Sequence, residues 1–150
     1  RIWVFRRRIN TFMTWYYKDS EFSTPGEYQG FVYRIKELDT GKMYIGKKNF
    51  WKPKILPVTK TRKRRKRTIV ESDWQKYYGS SARVKELFES KGEAGFKREI
   101  LHLCKTKGEM SYMEAKLQFT FDVLLSDQYY NEFIGCKIHS NHVKHLKESF

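Results

Sequence analysis

The chain has 150 residues, enough for one domain with a single modest core. Hydrophobic residues make up 39% and mean hydropathy is -0.76, the profile of a soluble protein, and no apolar run approaches the roughly 18 residues of a membrane span. A net charge of +14, from 31 Lys+Arg against 17 Asp+Glu, joins a 17% aromatic content in the composition of a nucleic-acid binder, where cations neutralise phosphates and rings stack on bases. A ribosomal-type structural protein or a membrane-surface protein would share the charge, so charge alone leaves the class open. Two cysteines, Cys104 and Cys136, are too few for a secreted disulfide scaffold and point to a reducing, intracellular compartment. The chain starts at Arg1 rather than Met, which reads as a fragment or processed product with any targeting signal out of view.

In chain order, residues 1–29 form a basic and aromatic extension in which Arg6-Arg7-Arg8 stands among Trp3, Phe5, Phe12, Trp15, Tyr16 and Tyr17. Its apolar residues keep no clean period, so it is read as a short helix or strand, either an arm on nucleic acid or an extension packed on the domain. After the loop Ser23-Thr24-Pro25-Gly26, the stretch from Gly30 to Lys48 predicts a hairpin. Phe31, Tyr33 and Ile35 alternate with Val32, Arg34 and Lys36, Met43-Tyr44-Ile45 return, and Asp39-Thr40-Gly41-Lys42 turn between them, with Gly41 free to take a positive φ. Tyr33 and Tyr44 fall near the two strand centres, so both hydroxyls can face one surface.

A basic insertion at about 52–70 follows. Lys60 to Arg67 reads KTRKRRKR, seven cations in eight residues and half the net charge. Such density cannot be buried, and with Pro53 and Pro57 upstream it predicts a solvated loop ordered by a polyanion. A solubilising loop and a nuclear localisation signal are the alternatives; phosphate contact is preferred, through Lys60, Arg62, Lys63, Arg64, Arg65, Lys66 and Arg67, with Lys76 beyond. Glu71 to Tyr78 predicts one or two helical turns with Ser72 as N-cap, broken at Gly79-Ser80-Ser81. Ser81 then caps a helix over 82–91, where Val84, Leu87 and Phe88 sit at helical spacing and Gly92 ends it. Phe96 to Cys104 predicts a third strand. The longest helix is expected over 109–125 with a buried stripe of Met110, Met113, Leu117, Phe121 and Leu124, and Glu114 lies at the edge of that stripe. A carboxylate there is partly desolvated and needs a cation or a donor. The remainder, 132–150, is a polar basic tail in which His139, His142 and His145 follow Cys136 at three-residue steps. Steps of three drift around a helix and no second ligand pair follows, so zinc binding there is the lesser reading.

Several of these segments, in order, resemble the GIY-YIG nuclease family. Phe31-Val32-Tyr33 stands where the family has GIY, with Phe31 in place of its first Gly, and Tyr44-Ile45-Gly46 stands where it has YIG. Ser80-Ser81 to Gly92 resembles the family's next helix, Phe96 to Leu103 its third strand, Tyr112-Met113-Glu114 its metal-binding helix, and Tyr130-Asn131 its last motif. The similarity covers about residues 30–131 and is strongest toward phage-type homing and related endonucleases, with a bacterial host cytoplasm as the setting if the chain is phage-encoded. The fold it implies is α+β, a small central three-stranded, mainly antiparallel sheet flanked by helices. The partner it implies is DNA, with no membrane. It also implies Tyr33 as general base, Tyr44 positioning water or phosphate, Glu114 as ligand of one Mg²⁺ (or Mn²⁺), and Asn131 supporting the site through hydrogen bonds. One element departs from the pattern: no Arg-x-x-x-His follows YIG. Tyr77 or Tyr78 stands in for the histidine, and the cation is sought among Lys47, Lys48, Lys76 and the arginines of 62–67.

The chemistry of the residues agrees. Phosphodiester hydrolysis needs an activated water, a cation on the phosphate and help for the leaving oxygen, against a barrier that must fall by about 20 kcal/mol. One carboxylate candidate suits one metal ion, because Mg²⁺ keeps several waters, and a tyrosine near cations is a reasonable base. Other readings remain: Tyr33 and Tyr44 as core tyrosines, Glu114 in a helix-surface ion pair, and Asn131 as a cap or turn former. At the level of function the alternatives are a catalytically impaired nucleic-acid-binding module and a structural component of a nucleoprotein or virion assembly.

Overall fold

A computed structural model describes residues 14–149, so the reading of Arg6-Arg7-Arg8 and its neighbouring rings as an arm lies outside the described residues. In chain order the elements are β1 (Trp15–Tyr17), β2 (Ser20–Phe22), β3 (Gly30–Glu37), β4 (Met43–Asn49), β5 (Trp51–Leu56), β6 (Lys66–Glu71), a 3-10 turn (Trp74–Lys76), α1 (Ala82–Lys91), a second 3-10 turn (Glu93–Gly95), β7 (Phe96–Cys104), α2 (Lys107–Thr120) and a 3-10 segment (Ser140–Ser149). The class is α+β, as expected. The main sheet has five strands rather than three, in the order β2-β1-β7-β3-β4, antiparallel except where β1 runs parallel to β7. The two extra strands come from the aperiodic aromatic stretch, where Lys18 and Asp19 turn the chain at positive φ. Strands of three residues are too short to display a period, which is why alternation does not reveal them.

Alternation on β3 sorts the core into two layers. Phe31, Tyr33 and Ile35 join Trp15, Phe50, Trp74, Tyr78, Val84 and Phe96 on one face. Val32 joins Ile45, Cys104, Met110, Met113 and Val123 on the other, under α2. The period of β7 breaks once. Val32 pairs with His102 but Tyr33 pairs with Ile100, so Leu101 is an extra residue in a β-bulge. Upstream of it Phe96, Arg98 and Ile100 are buried on the α1 side; beyond it Leu103 lies on that side, and His102 and Cys104 turn toward α2.

Three local expectations are corrected. The basic insertion is not a loop throughout: β5 and β6 pair as a two-stranded ribbon from Trp51↔Glu71 to Leu56↔Lys66. Pro53 is tolerated because a ribbon has two outer edges and its missing N–H can face one of them. The Glu71–Tyr78 stretch makes only the short 3-10 turn. Finally, α2 stops at Thr120, where Asp122 takes φ 50, so Phe121 and Leu124 are exposed and Val123 takes the buried place. By contrast Ser81 caps α1 by accepting from Val84 N, and Gly92 closes it at φ 77.

Buried Glu37, at the end of β3, accepts from Thr40 Oγ1 and from Tyr130 Oη at 2.6 Å and pairs with Lys91. Burial alone would raise its pKa, but these donors together outweigh burial and hold it down at about 2, against 4.5 for the free side chain. A depressed carboxylate stabilises the fold above its unfolded pKa and loses that stabilisation as the pH falls through its folded value. Urea unfolding is therefore expected to show a loss of up to about 3 kcal/mol between pH 4.5 and pH 2 that Glu37→Gln largely removes. An unchanged acid profile in that variant would refute the assignment.

Candidate active site at the free edge of the sheet

β4 is an outer strand of the sheet. Side chains from both core layers can therefore meet around its edge without a further strand between them. The chain after α2 covers the first part of that edge. Met43 N donates to Gln128 O at 2.7 Å, and Tyr130 N donates to Met43 O at 2.8 Å. At the next outward position a side chain replaces the backbone: Ile45 N donates to Asn131 Oδ1 at 3.1 Å and Asn131 Nδ2 donates to Ile45 O at 2.8 Å. Gln118 Nε2, from α2, reaches the same carbonyl at 3.0 Å. Asn131 thus acts as a surrogate strand partner, which satisfies both buried backbone groups of Ile45.

The outward position after Ile45 belongs to Lys47, and there Glu114 arrives from α2. Lys47 Nζ lies 3.6 Å from Glu114 Oε1 and donates to Ser111 Oγ at 3.1 Å. Burial raises the Glu114 pKa, and Lys47, through its ammonium and its backbone N–H, pulls it back only in part. The result is a half-buried carboxylate with one cation at long range, which leaves oxygen lone pairs available.

A cleft of about 460 Å³ opens at this edge, lined by Tyr44, Ser80, Ser81, Arg83, Glu114 and Asn131 among others. Tyr44 Oη and Ser80 Oγ share a hydrogen bond at 3.4 Å, and burial raises the Tyr44 pKa. Tyr33 lies behind this wall. Its Oη is buried with no hydrogen-bond partner of normal geometry, and burial, with the neighbouring Tyr77 adding to it, pushes its pKa well up. Its ring is 5.7 Å from that of Tyr77, edge-on, and 6.4 Å from that of Tyr44. Gly46 is required there, since a Cβ would come within 2.5 Å of Tyr33 Oη. The 74–78 segment that carries Tyr77 is held by buried Arg98, whose Nη1 donates to Gln75 O at 2.9 Å and Tyr77 O at 2.8 Å.

Of the residues singled out in the sequence, Tyr33, Tyr44, Lys47, Tyr77, Glu114 and Asn131 gather at this edge. Lys48 joins them by lying 4.2 Å over the Tyr77 ring while pairing with Asp73 at 2.7 Å. Lys76 and the exposed cations Lys60, Lys63, Arg64, Arg65, Lys66 and Arg67 lie on the surface instead. Arg62 folds back, with Nη2 donating to Pro57 O at 2.7 Å and Nε to Arg64 O at 3.2 Å, and so closes the ribbon's loop. Arg83 and Ser80 were not anticipated. Arg83 stands in the first turn of the helix that Ser81 caps, a position where no catalytic motif marks it in the sequence. Arg83 lines the cleft, is paired loosely with Glu86 at 3.6 Å, and has a side chain that is 58% exposed.

Asn131→Ala strands the buried Ile45 N–H, and is expected to cost about 2–3 kcal/mol in denaturant unfolding. A loss under about 0.5 kcal/mol would show that solvent replaces the amide and that the edge is not held this way.

Residues 15–134 match the family model described as "Putative endonuclease segE, GIY-YIG domain". No curated protein and no solved structure matches the chain.

Proposed function

The chain belongs to the GIY-YIG endonuclease family, and from that premise we propose that it is a divalent-metal-dependent DNA endonuclease that cleaves at the edge of β4. The observation that carries the reading is the convergence of Tyr44, Ser80, Arg83 and Glu114 on one cleft. Glu114 fits a hard cation: it is a carboxylate kept from full compensation beside open space, and Mg²⁺ (or Mn²⁺) binds through one or two carboxylates and substrate oxygens. When bound, the ion supplies charge neutralisation on the scissile phosphate. The amino end of α1, with Ser80 and Ser81, offers N–H groups and a positive dipole to a phosphate, and Arg83 in its first turn takes the part of the absent family arginine. Lys47 and Lys48 are engaged with Glu114 and Asp73 and serve to hold the wall.

In this proposal Tyr33 is the general base, Tyr44 orients water or phosphate, and Tyr77 seals the space between Lys48 and Tyr33. Support for Tyr33 is its buried hydroxyl, which has the Tyr77 phenol beside it and, among the described residues, no hydrogen bond of normal geometry; a buried polar atom so poorly met is costly and persists where it has a task. Burial keeps the phenol neutral in the free protein, so the pH dependence of cleavage is set by the loaded site. Tyr33→Phe is expected to leave stability unchanged or slightly higher while lowering plasmid nicking about 10²–10⁴-fold, and Glu114→Gln to abolish it. The isolation of Tyr33 behind Tyr44 also favours a second reading, a binding module that no longer cuts. Wild type that binds DNA but cleaves in neither Mg²⁺ nor Mn²⁺ would establish that reading instead.

DNA contact is assigned to the β5–β6 ribbon. A two-stranded antiparallel ribbon fits a major groove about 12 Å wide, and the exposed cations at its tip suit the flanking phosphates. Binding then follows salt, and replacing Lys63, Arg64 and Arg65 by alanine is expected to reduce the slope of log K against log[salt] by up to about 3. An unaltered slope would move the contact elsewhere. A reducing, intracellular setting belongs to the same proposal, in keeping with the two free cysteines. Among the described residues no helix is long and apolar enough to cross a membrane.

A further inference from the structure

A second constellation lies at the opposite end of α2's first half, about one and a half helical turns before Glu114. The bulge at Leu101 turns His102 and Cys104 onto the α2 side of the sheet, against Glu109 in the helix's first turn. Donor atoms of His102, Cys104 and Glu109 all lie within 4.8 Å of one another. His145, from the Ser140–Ser149 segment, completes the group. His102 Nε2 is 2.8 Å from Glu109 Oε2, and His145 Nε2 is 3.1 Å from Glu109 Oε1. Cys104 and Glu109 are buried, while both imidazoles are partly open.

We propose that His102, Cys104, Glu109 and His145 form a structural site for a zinc-class divalent cation that fastens the C-terminal segment to the core. Tetrahedral zinc with N, O and S ligands places its donors roughly 3.3–3.8 Å apart, so the donors of His102, Cys104 and Glu109 close to that spacing with movements of about an ångström, and His145, 3.1 Å from the other oxygen of Glu109, swings in as the fourth ligand. One thiolate, one carboxylate and two neutral imidazoles balance a 2+ ion, which allows the cluster to be buried without net charge. The thiolate selects zinc over Mg²⁺, so this site and the catalytic cation's would not compete. Outer contacts are in place: Lys105 N donates to Glu109 Oε1 at 3.0 Å, and Glu109 N donates to the Thr106 cap at 3.0 Å. Four ligands leave no open position, so the site holds structure rather than substrate. The tail is seated there closely, since a Cβ on Gly108 would come within 2.5 Å of His142 Cβ. The tail's other candidates do not join: Cys136 is exposed, and His139 N donates to His142 Nδ1 at 3.1 Å.

The full chain, purified with zinc present and desalted, is expected to retain one zinc per chain. Substitution by cobalt(II) should give the near-ultraviolet charge-transfer band of a cobalt thiolate. Cys104→Ser should remove that band, and His145→Ala, at a partly exposed position that the fold tolerates, should weaken metal retention against a chelator by about tenfold or more. If Cys104→Ser fails to fold, His145→Ala and His102→Gln carry the same comparison. Substoichiometric zinc, a cobalt spectrum without the thiolate band, or retention unchanged in the histidine variants would each overturn the proposal and leave the cluster as a hydrogen-bonded helix cap.

Discussion

The outer edge of β4 is the constraint on which the candidate site depends. An exposed strand edge offers unpaired N–H and C=O groups, and proteins usually cover or blunt it. Here the edge is covered in steps, by backbone at Met43, by the Asn131 amide at Ile45, and by the Glu114 carboxylate near Lys47. The covering becomes less regular along the strand, and Tyr130, Asn131, Gln118 and Glu114, which help to supply it, also line the cleft. Closing the edge with a sixth strand would improve the sheet and separate Tyr44 from Glu114.

Behind this edge, the tyrosine wall relies on a buried guanidinium. Arg98 sits 4.6 Å over the Trp15 ring and 4.2 Å over the Tyr78 ring, and its donors fix the carbonyls of Gln75 and Tyr77. Burial lowers its pKa to about 10, still far above neutrality, so the charge stays. β1 supplies Trp15, whose Nε1 donates to Trp74 O at 2.8 Å, so the aromatic stretch before the hairpin positions Tyr77 through two routes. β1 and β2 are part of the sheet and help to shape the site from behind.

How much of this could be read in the sequence depended on the range of the interaction. The β3–β4 hairpin, the cap and stop of α1, and the approximate course of α2 follow from local alternation and capping residues, so they were legible. The resemblance also points to Tyr44, Glu114 and Asn131, which line one cleft, and to Tyr33, which lies buried behind it. The part played by Arg98 was not legible, because a cation on the same strand face as Phe96 and Ile100 gives no sign of which rings and carbonyls will meet it. Nor was the bulge at Leu101, which leaves no turn residue or glycine behind and is set by pairing with β3. The end of α2 at Thr120 was missed because Asp122 departs from helix only by adopting left-handed backbone, which its side chain permits without announcing. The ribbon was missed because the charge of its tip obscured the β-forming residues on its stems.

The ribbon's attachment has a consequence for how such a protein can change. Trp51 and Glu71 are paired neighbours, so twenty-odd residues leave the domain and return to it at nearly one place. Lengthening or exchanging what lies between them alters neither the spacing of the strands nor the seat of Trp74, whose N–H is met by Ser72 Oγ just beyond the junction. Loop closure grows dearer only slowly with length, by about 0.6 kcal/mol per doubling. Under the proposal that this ribbon contacts DNA, exchanging this one projection would redirect the protein to other targets while leaving the residues of the cleft beside it in place.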